Sequence, residues 1–346
     1  MGLPEATLSA LLAPVSLDDF LSRCWLKQHL VCSGSPERFS HLLSWSTLNE
    51  ILARHWREPF RFRLACQGRD LDPASYTDVG GVSPRIRAKE VTDSLRSGAT
   101  LVFQGIDELH APLRQLAESF EAFFRASTNV NVYAGWRALH GLDLHCDDQE
   151  IFILHLDGPK RWLVYGFSID RVDRSQLTSA SVPPEGAVLD RVLRAGDLLY
   201  LPKGCYHVAV PMNEPTLHLT VSVKMTASSG KRRPSFSLPW SATPELLPSD
   251  GNFLVTLIDS FVVMDTDSDS RAMELRCGDR RYRFPRSTQR ILEQLQPRVP
   301  RPFARIVDAV ADQLDEAMVR VLLAMLVRED LVAITTTARA HAGDHA

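Results

Sequence analysis

The chain has 346 residues, of which 45% are hydrophobic and 23% charged. That balance excludes a largely disordered chain, a collagen-like repeat and a coiled-coil rod, and the length allows one large domain or two to three smaller ones. Thirty-nine Lys and Arg stand against 42 Asp and Glu, a net charge of −3, which argues against a dedicated nucleic-acid binder while leaving room for a local basic patch.

No stretch reaches the roughly 18 apolar residues that a membrane-spanning helix needs. The opening MGLPEATLSALLAPVSLDDF carries no positive charge ahead of its short apolar run and does not read as a secretory signal. Ala6 stands where a myristoylated N-terminus has Ser or Thr, which argues against that modification of Gly2. The six cysteines (Cys24, Cys32, Cys66, Cys146, Cys205, Cys277) form no C-x-x-C pair and read as free thiols in a reducing cytoplasm.

In chain order, Ser16 is a candidate helix cap with Asp19 as its reciprocal partner. Leu17, Phe20, Leu21, Cys24 and Trp25 follow at helical spacing. A second helix is predicted from Ser46 through Leu48, Ile51 and Leu52. FRFRLACQG (60–68) alternates as a strand, and Leu113 to Phe124 reads as a helix with Leu113, Leu116, Phe120 and Phe123 on one face. From Asn129 the chain becomes a series of short β-rich segments, the pattern of a sandwich or barrel. Asp157-Gly158 predicts a hairpin that places Lys160 opposite His155. Residues 226–251, rich in Ser, Pro and Gly, read as a connector. The last hundred residues return to helices. STQRILEQL has a candidate cap at Ser287, and PFARIVDAVADQL, DEAMVRVLLAMLVRED and LVAITT give the helix–helix–strand order of winged-helix modules.

The chemistry concentrates in two segments. His145 and Asp147 are two apart, so on an extended strand their side chains share a face and can converge on one metal. GDLLYLPKGCYH (196–207) reads as turn, strand, Pro/Gly turn, and then His207 opening the next strand, 62 residues after His145. A jelly roll brings such distant strands together, giving two His and one carboxylate on one side of a metal and leaving the other side open: the facial triad of non-haem Fe(II) oxygenases. Either segment alone is better read as a turn cap or a core histidine. A structural zinc is disfavoured, because there are three ligands and no Cys pair. Cys146 alternates away from the metal, and Cys205, two before His207, is a candidate extra ligand or pocket-lining residue.

NVYAGW…HCDDQEIFILHLDGPKRWLVYG, GDLLYLPKGCYHVAV and TLHLTVSV resemble the JmjC-type cupin 2-oxoglutarate/Fe(II) oxygenases, in the ribosomal oxygenase-like branch (cupin-4 family). The resemblance is firm over about residues 16–225. It implies an α+β fold: a double-stranded β-helix (jelly roll, cupin/JmjC) core with an N-terminal helical and strand region, a helical linker/dimerisation region and a C-terminal winged-helix-like domain. The corresponding divisions are 1–225, 226–265 and 266–346. It implies Fe(II) on His145, Asp147 and His207, with 2-oxoglutarate as cosubstrate and O2 as oxidant. Lys160, fifteen positions after the first His, is implied to hold the distal carboxylate of 2-oxoglutarate. Asn131, Tyr133, Thr220 and Ser222 are implied to line the same pocket. Read without the resemblance, Lys160 is a snorkelling surface lysine. Position 146 is Cys where this branch commonly has Tyr, and position 155 is His where it commonly has Gln.

The expected function is hydroxylation of an Arg or His side chain in a protein, including a ribosomal protein, by a cytoplasmic homodimer. A peptide natural-product precursor is an alternative substrate. Asp143, Asp148 and Glu150 are candidates for attracting a basic target. Two competing classes are a cupin-shaped binding or scaffold protein, in which KRRP (231–234) touches phosphate, and a metal-dependent enzyme that needs no 2-oxoglutarate.

Overall fold

The computed structural model describes residues 3–78, 85–167, 186–225, 237–258, 262–264, 271–277, 280–295 and 300–336. Gly2 and KRRP (231–234) lie outside the described residues. Two compact units make up the chain, residues 1–226 and 227–346. Among the described residues, no helix is long and apolar enough to cross a membrane.

The first unit begins with α1 (Leu3–Leu12), α2 (Leu17–Asp19), β1 (Leu30–Cys32), α3 (Trp45–Arg54), β2 (Phe62–Cys66), β3 (Arg69–Asp70), β4 (Thr77–Asp78), β5 (Arg85–Ile86), α4 (Ala88–Arg96), β6 (Thr100–Phe103) and α5 (Ala111–Phe124). Ser16 is the predicted cap, accepting from Asp19 N–H at 3.1 Å, but the Asp19 carboxylate accepts from the Ser16 hydroxyl at 2.7 Å in place of the reciprocal bond to the Ser16 N–H. The helix then widens into a π-turn over Phe20–Cys24. The second helix starts earlier than predicted: Ser44, not Ser46, is its cap, accepting from Thr47 N–H at 3.1 Å. Three serine or threonine hydroxyls within four residues compete for that role, and only Ser44 has the extended backbone that a cap needs.

The β-rich half comprises β7 (Ser127–Gly135), β8 (Glu150–Asp157), β9 (Lys160–Phe167), β10 (Leu189–Leu193), β11 (Leu198–Leu201), β12 (Cys205–Pro211) and β13 (Thr216–Lys224). One sheet has the order β1-β11-β8-β13-β7-β6-β2-β3, and the other β10-β9-β12. The non-sequential order is that of the expected jelly roll. Strand β8 is buried along all but its last residue. Ile151 and Ile153 point into the interior between the two sheets, with Trp162, Val164, Leu193, Leu199 and Leu201. Phe152, Leu154 and Leu156 point the opposite way, into a second core shared with the N-terminal helices. There Phe152 stands edge-on to Phe120 and Tyr200 stands edge-on to Phe20, each pair with centroids 4.9 Å apart.

The hairpin predicted at Asp157-Gly158 does not form. Strand β8 pairs with β11 and β13, whereas β9 pairs with β10 and β12, so the dipeptide carries the chain from one sheet to the other. Gly158 does adopt the left-handed conformation that such a dipeptide favours, with φ +67°. That conformation serves a corner between sheets as well as a hairpin, and Asp157 is held there by Trp45 Nε1–H at 2.7 Å.

The second unit contains β14 (Phe253–Leu257), β15 (Val262–Met264), β16 (Ala272–Cys277), β17 (Arg280–Pro285), α6 (Thr288–Leu295), β18 (Arg301–Pro302), α7 (Phe303–Val310), α8 (Glu316–Arg328) and β19 (Val332–Thr336). Its sheets are β18-β14-β19 and β15-β16-β17, and its own core includes Phe253, Phe284, Ile291, Phe303, Leu322 and Leu326. Elements α7, α8 and β19 follow one another in the helix–helix–strand order read from the sequence. Of the helical linker implied for 226–265, the described residues hold one turn of 3-10 helix, Pro244–Leu246.

A Cβ at position 158 meets the Pro215 carbonyl oxygen at 1.8 Å. Gly158→Ala is therefore expected to lower stability by more than the ~1–2 kcal/mol of a left-handed alanine, read as a drop in the urea midpoint at unchanged m-value.

Candidate metal centre and adjoining pocket

The three predicted ligands meet. One ligand atom from each of His145, Asp147 and His207 lies within 4.8 Å of the others. The imidazole centroids are 4.4 Å apart, and His207 Nε2 is 3.8 Å from Asp147 Oδ2. The backbone enforces this. His145 and His207 form an isolated antiparallel bridge, with His145 N–H donating to His207 O at 3.1 Å and His207 N–H to His145 O at 2.8 Å. Gly204 N–H donates to Asp147 O at 2.9 Å, fixing the residue between. A register shift between Tyr206 and His207 in the β12–β9 ladder breaks the strict alternation just where His207 must be aimed.

Ring nitrogens are assigned by their partners. His145 Nδ1 donates to Asp143 O at 2.7 Å, and His207 Nδ1 donates to Cys205 O at 3.0 Å. A carbonyl only accepts, so each Nδ1 carries a proton and Nε2 is the nitrogen left to face a metal. Burial, then the neighbouring His145, holds the His207 pKa well below the usual value, so the imidazole stays neutral. Two imidazoles that present Nε2 and an adjacent carboxylate, with its own side chain about 39% exposed, form a donor set that fits a divalent metal open to a further ligand. Cys205 is buried and lies outside this group. Its thiol is pushed up to about 12 by burial, which keeps it protonated.

The other predicted pocket residues share one face of the large sheet. Tyr133, His218 and His155 are successive cross-strand partners on β7, β13 and β8, as are Asn131, Thr220 and Ile153. Ser222 lies opposite Asn129 and Ile151. Asn131 Oδ1 accepts from Gly105 N–H at 3.0 Å. Lys160 comes from the facing sheet, is 5% exposed, and sets its ammonium 5.8 Å from the Trp162 ring centre. Among the described residues no carboxylate pairs with it. Burial pulls its pKa down to about 7. The surface-lysine reading is thereby excluded.

Trp162 and His218 were missed in the sequence, and the role of His155 was not legible there. Trp162 Nε1–H donates to His155 Nε2 at 2.9 Å. An indole can only donate, so His155 carries its proton on Nδ1. That Nδ1 is buried without a hydrogen-bond partner, as is Nδ1 of His218. His218 stacks on Tyr133 at 4.9 Å and on His155 at 5.3 Å. Burial, then the Lys160 charge, pushes the His155 pKa down to about 3, so its Nδ1–H is a neutral donor.

The acidic residues suggested as an attractant are mostly committed elsewhere. Glu150 is buried and accepts from the Tyr200 hydroxyl and from Lys203 N–H at 3.2 Å, pinning the turn that leads to His207. Asp148 pairs with Lys224 at 3.1 Å, and Asp143 with His140 at 2.8 Å.

Comparison with known proteins agrees with this geometry. The family model of the JmjC domain matches residues 106–230. The bifunctional lysine-specific demethylase and histidyl-hydroxylase NO66 of Drosophila grimshawi is 31% identical over 227 residues, covering 62% of this chain and 30% of that protein. Its Drosophila melanogaster counterpart is 29% identical over 238 residues, covering 62% and 33%. The chain thus spans about a third of the length of these relatives. Among solved structures, the Escherichia coli ribosomal oxygenase YcfD superposes with a TM-score of 0.54 at 16% identity, over 93% of this chain and 98% of that one. A YcfD structure in complex with cobalt and 2-oxoglutarate gives 0.54 at 15% identity, with the same coverage. Residues 106–230 thus match the JmjC domain, and the chain as a whole has a fold like that of YcfD.

Proposed function

We propose that the chain is an Fe(II)- and 2-oxoglutarate-dependent oxygenase that hydroxylates an Arg or His side chain of a protein or peptide. The observation that carries this reading is the convergence of His145, Asp147 and His207 with both imidazoles fixed as Nε2 donors. The relatives' names, a demethylase and histidyl-hydroxylase, support a protein substrate. So does the likeness in fold to the ribosomal oxygenase YcfD. Cys146 and His155 depart from the commoner residues of the resembled branch, so the target is set by this chain's own pocket. Homodimerisation through 226–265 and a winged-helix-like module over 266–346 belong to the same proposal.

When bound, ferrous iron with 2-oxoglutarate and O2 supplies the oxidising power, the oxo acid leaving as succinate and CO2 while a substrate C–H becomes C–OH. The chain supplies position and a dry wall. His145, Asp147 and His207 hold the metal from one side. Lys160 takes the far carboxylate of 2-oxoglutarate, and Tyr133, Asn131, Thr220 and Ser222 line the space beside it. The aromatic faces of Trp162, Tyr133 and His218 exclude water, which strengthens the ammonium–carboxylate attraction. His155 Nδ1–H adds a neutral donor near Lys160.

Succinate release with ribosomal-protein and arrayed peptides tests the reaction. Wild type is expected to turn over at least one of them, and His145→Ala none. Asp147→Ala is expected to abolish Mn(II) binding by calorimetry while leaving the circular dichroism spectrum intact. Retained Mn(II) binding in that variant contradicts the ligand assignment.

The low pKa of Lys160 predicts a pH dependence. Below about pH 7 the free site already carries the ammonium, and above it the amine is neutral. A bound carboxylate favours the charged form, so binding takes up a proton on the alkaline side. The affinity of the metal-loaded protein for 2-oxoglutarate is therefore expected to fall as pH rises above 7, by up to about tenfold per unit. In Lys160→Ala both the affinity and that slope are expected to be lost.

Replacing His155 tests its donor. His155→Phe is expected to weaken 2-oxoglutarate binding by roughly tenfold, the worth of one hydrogen bond to a charged group, with Mn(II) binding unchanged. His155→Gln, which restores an N–H, is expected to recover most of it.

A further inference from the structure

The net charge of −3 conceals a strong segregation. Residues 271–305 hold ten Arg, no Lys and three acidic residues, a local charge of +7 that leaves −10 on the remainder of the chain. Electrostatic attraction in solution acts within a Debye length, about 8 Å at physiological salt, so a local charge of this size acts on its surroundings whatever the whole-chain average.

The hairpin β16–β17 displays three of these arginines on one side. Its register pairs Met273 with Phe284, Glu274 with Arg283, Leu275 with Tyr282, and Arg276 with Arg281. Alternation sends Met273, Leu275 and Phe284 into the core of the second unit. The opposite face carries Glu274, Arg276, Arg281 and Arg283, and all three arginines are exposed. Its single acid, Glu274, is 3.5 Å from the Arg281 guanidinium. Arg276 and Arg281 stand directly opposite one another, a like-charge arrangement that destabilises an isolated hairpin. An anion lying across the strands relieves that repulsion.

We infer that the outer face of the β16–β17 hairpin binds the phosphate backbone of a nucleic acid. One feature favours this over an acidic protein. The basic groups are all guanidinium, whose planar fork donates two parallel hydrogen bonds to one phosphate and is weakly hydrated. The inference is independent of the metal centre, since every residue it uses belongs to the second unit.

Fluorescence anisotropy of the full chain with a labelled RNA hairpin and a DNA duplex, over a series of salt concentrations, tests it. Wild type is expected to bind at least one of them, with affinity falling steeply as salt rises. Arg276→Gln combined with Arg283→Gln is expected to weaken binding at least tenfold. It is also expected to lower the slope of log affinity against log salt by about two, one unit for each phosphate contact removed. The double variant should keep the thermal midpoint and Mn(II) binding of the wild type. Absence of wild-type binding at low salt overturns the inference, as does an unchanged salt slope in the double variant. Equal or tighter binding of a poly-glutamate peptide, lost in the same variant, overturns it in favour of an acidic protein.

Discussion

Two backbone hydrogen bonds, exchanged between His145 and His207, are the constraint on which the metal centre rests. They join a loop ahead of β8 to the start of β12, across 62 positions of sequence. Every strand between contributes to keeping those two points together. The buried Glu150 carboxylate ties the β11–β12 turn to the start of β8, and the ladder of β12 on β9 carries His207 to its place. Had the same three side chains been presented on flexible loops, each would lose rotamer and backbone freedom on binding a metal. Here that ordering is completed by folding.

The deeper pocket follows the same logic with a different balance of charge. A buried ammonium with no carboxylate beside it among the described residues, and a buried imidazole N–H with no acceptor among them, are both costly to desolvate. Their placement on facing sheets around Trp162 makes each a complement to an anion rather than to each other. The indole matters less as bulk than as a donor, since it decides which nitrogen of His155 holds the proton. That a single tryptophan both stacks on His207, at 6.0 Å, and orients His155 links the metal side of the cavity to its deeper end.

The sequence was most readable where chemistry and strand period coincide. His145 and Asp147 at i and i+2, with His207 at the head of a strand, need only alternation and a roll to converge. Helix α5 and the final helix–helix–strand run were equally legible, because long apolar periodicity survives tertiary packing. Asp157-Gly158 misled because a positive φ at Gly158 specifies a sharp turn but not which strands flank it. Pairing is decided by partners that lie far away in sequence. The same limit hid Trp162 and His218, whose roles depend on register across two sheets. Lys160 was reachable only through family likeness, since a lysine two residues beyond a turn has no local feature that marks it as buried.

Strand β8 has a consequence for how this molecule tolerates change. Ile151, Ile153 and His155 face the interior between the two sheets, and Phe152, Leu154 and Leu156 face the core shared with the N-terminal helices. A shift by one residue would exchange the two sets, putting Phe152 where Ile153 stands and a histidine among phenylalanines. Such a strand has no solvent side on which sequence can drift without effect. Adaptation of the cavity to a new target is thus steered towards the loops and the shorter strands of the facing sheet, while β8 is held by two cores at once.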